Sequence, residues 1–220
     1  AEYRSGGIFT PPSVAGTIMN PGFGGGMNWG GVGVDAQSGL AVSFVNDLPA
    51  IVRLIPRAQF DLDDLTEGFD AARMTGTPYI MERTLFLSPL GLPCTQPPWG
   101  KLVAMDLRKR EIAWSVPLGT IADLAPAPVP NFAWGVPGMG GPLITAGRLV
   151  FIGAVAEHKF RAIDLMSGDE LWQGELPRAG MASPMTYTSK GKQYVVIAAG
   201  GHGQVTDQTG DYLVAFALPD

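Results

Sequence analysis

Short runs rich in β-branched and aromatic residues recur along the chain and are broken by corners carrying Asp, Ser and Gly. The clearest case lies between "GRLVFIGAVAEHKFRAI" and "ELWQGEL", where both flanks have strand composition. Asp and Ser hydrogen-bond their own backbone and Gly takes the left-handed conformation of a tight corner, so Asp164 to Gly168 is predicted as a strand-turn-strand corner. Trp172 then starts the outer strand of the hairpin. The same offsets recur upstream in "LVAMDLRKREIAWSV", where Ala104, Asp106 and Trp114 match Ala162, Asp164 and Trp172 and Arg110 stands at the glycine position. A weaker copy, "VGVDAQSGLAVSF", keeps Asp35, Ser38 and Gly39 but has Ser43 in place of the tryptophan, and "DYLVAFALP" is a fragment of a fourth. The three aspartates lie 71 and then 58 residues apart. Repeats of this order in an all-β chain predict a propeller of four-stranded sheets with insertions between them. On this reading Trp114 and Trp172 are mostly buried between adjacent sheets.

Between the strands run long connections rich in Gly and Pro. Residues 57–85 are the one charged stretch, predicted as a loop insertion, with "DLDDLTEGFDAARM" able to hold a short helix. "TIADLAPAPVPNFAWGVPGMGGP" is a second, Pro-rich connection, and both are expected on a propeller face.

Composition narrows the functional classes. At 220 residues and 46% hydrophobic the chain can bury one good core, and 30 Gly with 19 Pro fit many turns. A net charge of −5 supplies no basic footprint, so nucleic acid is not an expected partner. No apolar run approaches the roughly 18 residues of a membrane span. The chain opens on Ala1 rather than Met, which suggests a processed or excised segment. The lone Cys94 has no internal partner and sits in a Pro-rich loop, where packing is its expected role.

The chain has two histidines, His158 and His202, and lacks a nucleophile elbow, a His-Glu-x-x-His motif, a phosphate loop and paired-cysteine metal spacing. "GFGGGMNWGG" precedes a strand rather than opening a helix, which disfavours dinucleotide binding. The remaining candidates are polar groups at strand ends near glycines: Asn28 and Trp29, Asn46, Glu157 with His158, and Gly200 to Gly203 with His202. In a propeller such positions can line the axial channel and hold a flat ligand. The plainer alternative makes Trp29 core, Asn46 a turn cap, and Glu157 and His158 solvent-facing.

The Ala-x-Asp-x-x-x-Gly-x-x-x-Trp pattern resembles the tryptophan-docking motif of pyrroloquinoline quinone (PQQ) dehydrogenases. Longer strings strengthen the resemblance: "FTPPS" at Phe9, "WGG" at Trp29, "LIPR" at Leu54, "LSPLGLPCTQPPWG" at Leu87, "GGPLITAGRLVFIGA" at Gly140 and "GKQYVVIAAGGHG" at Gly191. Together they are similar to the C-terminal part of the membrane-bound quinoprotein glucose, quinate/shikimate and polyol dehydrogenases. The resemblance implies that residues 1–220 are about three to four blades of an eight-bladed propeller. It further implies a periplasmic enzyme on the bacterial inner membrane that oxidises a sugar or cyclic polyol and passes electrons through PQQ to ubiquinone. The family's membrane helices, catalytic carboxylate and Ca²⁺ or Mg²⁺ ligands lie upstream of "FTPPS", so no catalytic residue is assigned to this segment. By resemblance Asn46, Glu157, Gly201, His202 and Trp29 are assigned to the cofactor pocket. Asn28 departs from the glutamate of glucose-type members, which tilts the expected substrate toward quinate, shikimate or a polyol. Open sheet faces predict self-association. The rival reading is a non-catalytic propeller scaffold, against which the "GGHG" and "WGG" strings argue, since blade docking alone does not call for them.

Overall fold

A computed structural model describes residues 3–59, 70–123, 130, 132–203, 205–206 and 208–219. The chain forms two compact units, one from residues 1–25 and 47–96 and the other from 26–46 and 97–220. No helix among the described residues is long and apolar enough to cross a membrane.

The first unit holds one antiparallel sheet of β1 (Thr17–Met19), β4 (Ala50–Pro56), β5 (Asp70–Arg73) and β6 (Tyr79–Leu85), in the order β1-β4-β6-β5. Its buried side chains include Ala50, Ile51, Val52 and Ile80. The predicted loop insertion at 57–85 is corrected here, because its second half contributes two strands. The charges that suggested a solvated excursion are partly cross-strand partners. Arg53 faces Glu82 in the β4–β6 register, with their charged groups 3.8 Å apart. The short helix expected in "DLDDLTEGFDAARM" lies largely outside the described residues, and Asp70–Arg73 is strand.

The second unit stacks three antiparallel sheets. The first is β2 (Val32–Asp35), β3 (Leu40–Asn46), β7 (Gly100–Asp106) and β8 (Glu111–Pro117), in that order. The second is the meander β9 (Leu143–Ile144), β10 (Leu149–Ile152), β11 (Lys159–Asp164) and β12 (Glu170–Glu175). The third has three strands, β13 (Met185–Ser189), β14 (Lys192–Ala199) and β15 (Tyr212–Phe216). Central strands are buried on both faces, as in β11, where Phe160 to Ile163 are all inaccessible. Phe160 of the second sheet and Leu176, just after β12, pack with Val195, Ile197 and Ala199 of the third.

The repeat has a direct structural reading. Ala104 pairs with Trp114 and Ala162 with Trp172, each beside the same bulge, so a small residue lies opposite each indole. Asp106 accepts the Arg108 and Lys109 amides, and Asp164 accepts those of Met166 and Ser167, at 2.8–3.0 Å. Arg110, at the glycine position, adopts the left-handed conformation with φ 62°. The Trp114 indole N–H crosses to the next sheet and donates to the Leu165 carbonyl at 2.9 Å, on the corner where Gly168 has φ +82°. Trp172 packs against Phe216 of the third sheet at 5.1 Å but is 38% exposed, more than predicted. Among the described residues no fourth strand or corner follows β15 to cover it.

The Asp35 copy is a different corner. It joins the first and second strands of its sheet, whereas Asp106 and Asp164 join the third and fourth, and Asp35 and Asp106 share one sheet. The register at Gly33 and Val42 is unbulged, and the Ser43 hydroxyl donates to the Gly31 carbonyl at 2.8 Å instead of carrying an indole outward. The 71-residue spacing therefore contains the whole of residues 47–96, which belong to the first unit.

Candidate functional site

The second unit's sheets present equivalent segments at one end, where β2, β9 and β13 begin and β3 and β14 finish. The approach to β2 carries Trp29 and Gly30, the approach to β9 carries Met139 and Gly140, and the approach to β13 carries Met181, Ala182 and Ser183. With His202, from the connection after β14, these residues line an open depression of about 450 Å³. Its lining includes Trp29 and two methionines, Met181 buried in a cluster with Ala156 and Ala179 and Met139 packed against that cluster, and its polar side chains are Ser183 and His202.

Close backbone approach shapes the floor. A Cβ on Gly30 would lie 2.3 Å from the Gly140 carbonyl carbon, and one on Gly140 would lie 2.6 Å from the Ala182 oxygen. Only glycines let the three approaches meet this closely. The Gly141 amide then donates to the Ser183 hydroxyl oxygen at 3.0 Å, tying the second sheet's approach to the third's.

The sequence-predicted residues fall into two groups. Trp29 and His202 line the depression, and Trp29 is 88% exposed rather than core. Its position rests on a local turn in which its own amide donates to the Asn28 side chain at 2.9 Å. The His202 backbone is fixed by Thr206, whose hydroxyl accepts the His202 amide at 2.8 Å and donates to the His202 carbonyl at 3.1 Å. Gly201 supports that turn with φ +65°, and its amide donates to the Ala179 carbonyl at 2.9 Å.

Asn46 and Glu157 stand behind the site. Asn46 is buried and clamps Gly138, donating to its carbonyl at 2.7 Å and accepting its amide at 3.0 Å. It fixes the residue before Met139 from a sequence distance of 92, so it is a positioning group rather than a turn cap. Glu157 is 1% exposed and accepts from the Arg161 guanidinium at 2.5 Å and from the Thr120 hydroxyl at 3.1 Å. Arg161 also donates to Glu170 at 2.8 Å, and its Nη1 is buried with no hydrogen-bond partner among the described residues. The solvent-facing alternative for Glu157 is thereby excluded, and the carboxylate belongs to an ion-pair network rather than to the depression's lining. His158 is half-buried, its amide held by Asp123 at 2.9 Å. Met139, Met181 and Ser183 were not legible as site residues, because a methionine or serine before a strand carries no distinctive spacing.

Residues 1–195 match the family model "PQQ: Glucose/ethanol/alcohol dehydrogenase, beta-propeller domain". The chain belongs to this PQQ β-propeller family. It is 45% identical to the quinoprotein glucose dehydrogenase of Escherichia coli across 100% of the chain and 29% of that protein. It is 42% identical to a probable quinate dehydrogenase of Xanthomonas campestris, across 100% of the chain and 29% of the relative. Among solved structures, the quinohemoprotein alcohol dehydrogenase of Comamonas testosteroni superposes with a TM-score of 0.60 at 23% identity, covering 91% of this chain and 28% of that one, a likeness of fold. The chain thus spans less than a third of the length of these relatives.

Proposed function

We propose that residues 1–220 are the C-terminal part of the propeller of a longer PQQ-dependent dehydrogenase, and that the depression bearing Trp29 and His202 is a wall of its cofactor site. The observation that supports it is the meeting of these two residues, far apart in sequence, on one surface with apolar flanks and a polar rim. That surface suits a flat, oxygen-rich ring system: the exposed Trp29 indole covers a ring face, the packed methionines Met139 and Met181 back the apolar side, and Ser183 and His202 meet its polar edge. Bound PQQ supplies a quinone that takes up the hydrogen and electrons of an alcohol. Asn46 and Gly201 act indirectly, holding the Gly138–Met139 segment and the His202 turn, while Glu157 and Arg161 fix the neighbouring connection.

The substrate class is a sugar or cyclic polyol, in keeping with the glucose and quinate for which the relatives are named. The catalytic carboxylate and the Ca²⁺ or Mg²⁺ ligands belong to the remainder of the enzyme. Electrons pass on to ubiquinone, and the enzyme works on the periplasmic side of the bacterial inner membrane.

PQQ titration of the whole protein, read by quenching of tryptophan fluorescence, tests this reading. His202→Ala should weaken binding by about 1–3 kcal/mol, the cost of leaving a polar ligand group unpaired, with the far-UV spectrum unchanged. The 220-residue chain alone should give no dye reduction with glucose, quinate, shikimate or glycerol in the presence of PQQ and Ca²⁺. Turnover by the chain alone would overturn the assignment of the catalytic groups to the rest of the protein.

A further inference from the structure

We infer that Ser183 is a ligand-positioning hydrogen-bond donor of the depression, a role that rests on the cofactor reading proposed above. Its oxygen accepts the Gly141 amide at 3.0 Å, which directs one lone pair at the backbone and leaves the hydroxyl proton for another acceptor. The residue is exposed and lines the depression that His202 also lines. Accepting a hydrogen bond polarises the O–H group and strengthens it as a donor. Around it, Trp29 offers one indole N–H, itself a donor, Met139 and Met181 offer weakly accepting sulfurs, and His202 carries an imidazole that can donate or accept. An occupant that brings a strong acceptor is favoured at this hydroxyl, and the carbonyl and carboxylate oxygens of a planar quinone are such acceptors.

The position of Ser183 adds a mechanical consequence. Gly141 leads into β9 and Ser183 leads into β13, so the Gly141–Ser183 bond joins the second and third sheets at the rim of the depression. Gly141 is buried, and a Cβ there would lie 1.9 Å from the Gly30 oxygen, so its amide direction is set by the packing of the first sheet's approach. The hydroxyl is consequently oriented by a rigid backbone group rather than by a mobile side chain, which lowers the entropy cost of binding to it.

Two nearly isosteric variants separate the donor role from the structural tie. Ser183→Asn can accept from Gly141 and still donate, whereas Ser183→Asp can accept but cannot donate when ionised. In the whole protein both variants should keep the melting temperature of the PQQ-free form. Ser183→Asn should retain a PQQ dissociation constant within about threefold of the parent, and Ser183→Asp should raise it at least tenfold, a ratio that persists at about 1 M salt, where repulsion between the new carboxylate and those of PQQ is screened. Ser183→Thr, which keeps the hydroxyl, should bind like the parent. Equal PQQ affinity of the Asn and Asp variants, with both folded, overturns the donor role and leaves Ser183 as a tie between sheets. Absence of any PQQ-dependent quenching in the parent protein would instead sink the cofactor reading of the depression, whatever the variants do.

Discussion

A methyl group at Gly168 would lie 2.8 Å from the Trp114 ring, in a backbone conformation with φ +82° that side chains disfavour. Gly168→Ala is therefore expected to destabilise the chain by more than about 1 kcal/mol. Trp114→Phe, which keeps most of the ring but loses the bond to the Leu165 carbonyl, should cost about 1 kcal/mol plus lost packing. Urea midpoints compared at fixed protein concentration check both. The Glu157–Arg161 pair is the other sensitive point, because both charges are out of water. Arg161→Met leaves the Glu157 carboxylate buried with the Thr120 hydroxyl as its remaining side-chain partner among the described residues and should cost about 3–5 kcal/mol. The double change Glu157→Leu, Arg161→Met should recover most of that loss in the same assay, since desolvating the pair is itself costly. The sequence exposes the Trp114 case and conceals the other. Ala104, Asp106 and Trp114 have a repeat to compare with, whereas nothing in "AEHKFR" distinguishes a buried glutamate from a solvated one.

The corners between strands carry their own pH dependence. Asp164 is held below the usual carboxylate range chiefly by the Ser167 amide, Asp106 chiefly by the Lys109 amide, and Asp35 chiefly by the Ser38 hydroxyl. A carboxylate whose native pKa is depressed contributes stability above its unfolded value of about 3.9 and loses it as pH falls through the native value. Unfolding midpoints should therefore drop below about pH 4. Asp106→Asn with Asp164→Asn should reduce that drop, because the amide oxygen still accepts from the corner without titrating. Equal acid slopes in parent and double variant would refute the assignment to these corners. At this scale the corners of β7–β8 and β11–β12 were legible, since an Asx corner and a tryptophan eight residues on are short-range chemistry. Strands β5 and β6 were not, because charges that pair across strands look the same in sequence as charges that face water.

In the second unit the apolar surface is left open around the last sheet: Leu213 is 75% exposed, Tyr212 44% and Trp172 38%. Val214 and Phe216 pack toward Phe160, so the neighbouring Leu213 stands on the opposite, uncovered face of β15, and the isolated chain is expected to self-associate through that face. Light scattering over a tenfold concentration range should show a rising mass, and a constant monomer mass would count against an open sheet face. The connectivity explains why counting repeats from the sequence misassigned one of them. Asp35 and Asp106 lie on one sheet whose middle strands, β3 and β7, are separated in sequence by most of the first unit. The sequence by itself determined the all-β class, the Ala-x-Asp and tryptophan offsets and the family strings, because these rest on local turn chemistry and on contiguous residues. The tertiary structure alone decided that Trp29 and His202 share a surface with Ser183, that Asn46 grips Gly138, and that Glu157 is buried in an ion pair. Those outcomes depend on which strand ends meet when the sheets stack, and on glycines thin enough to let their backbones touch, and neither is written in the spacing of any one segment.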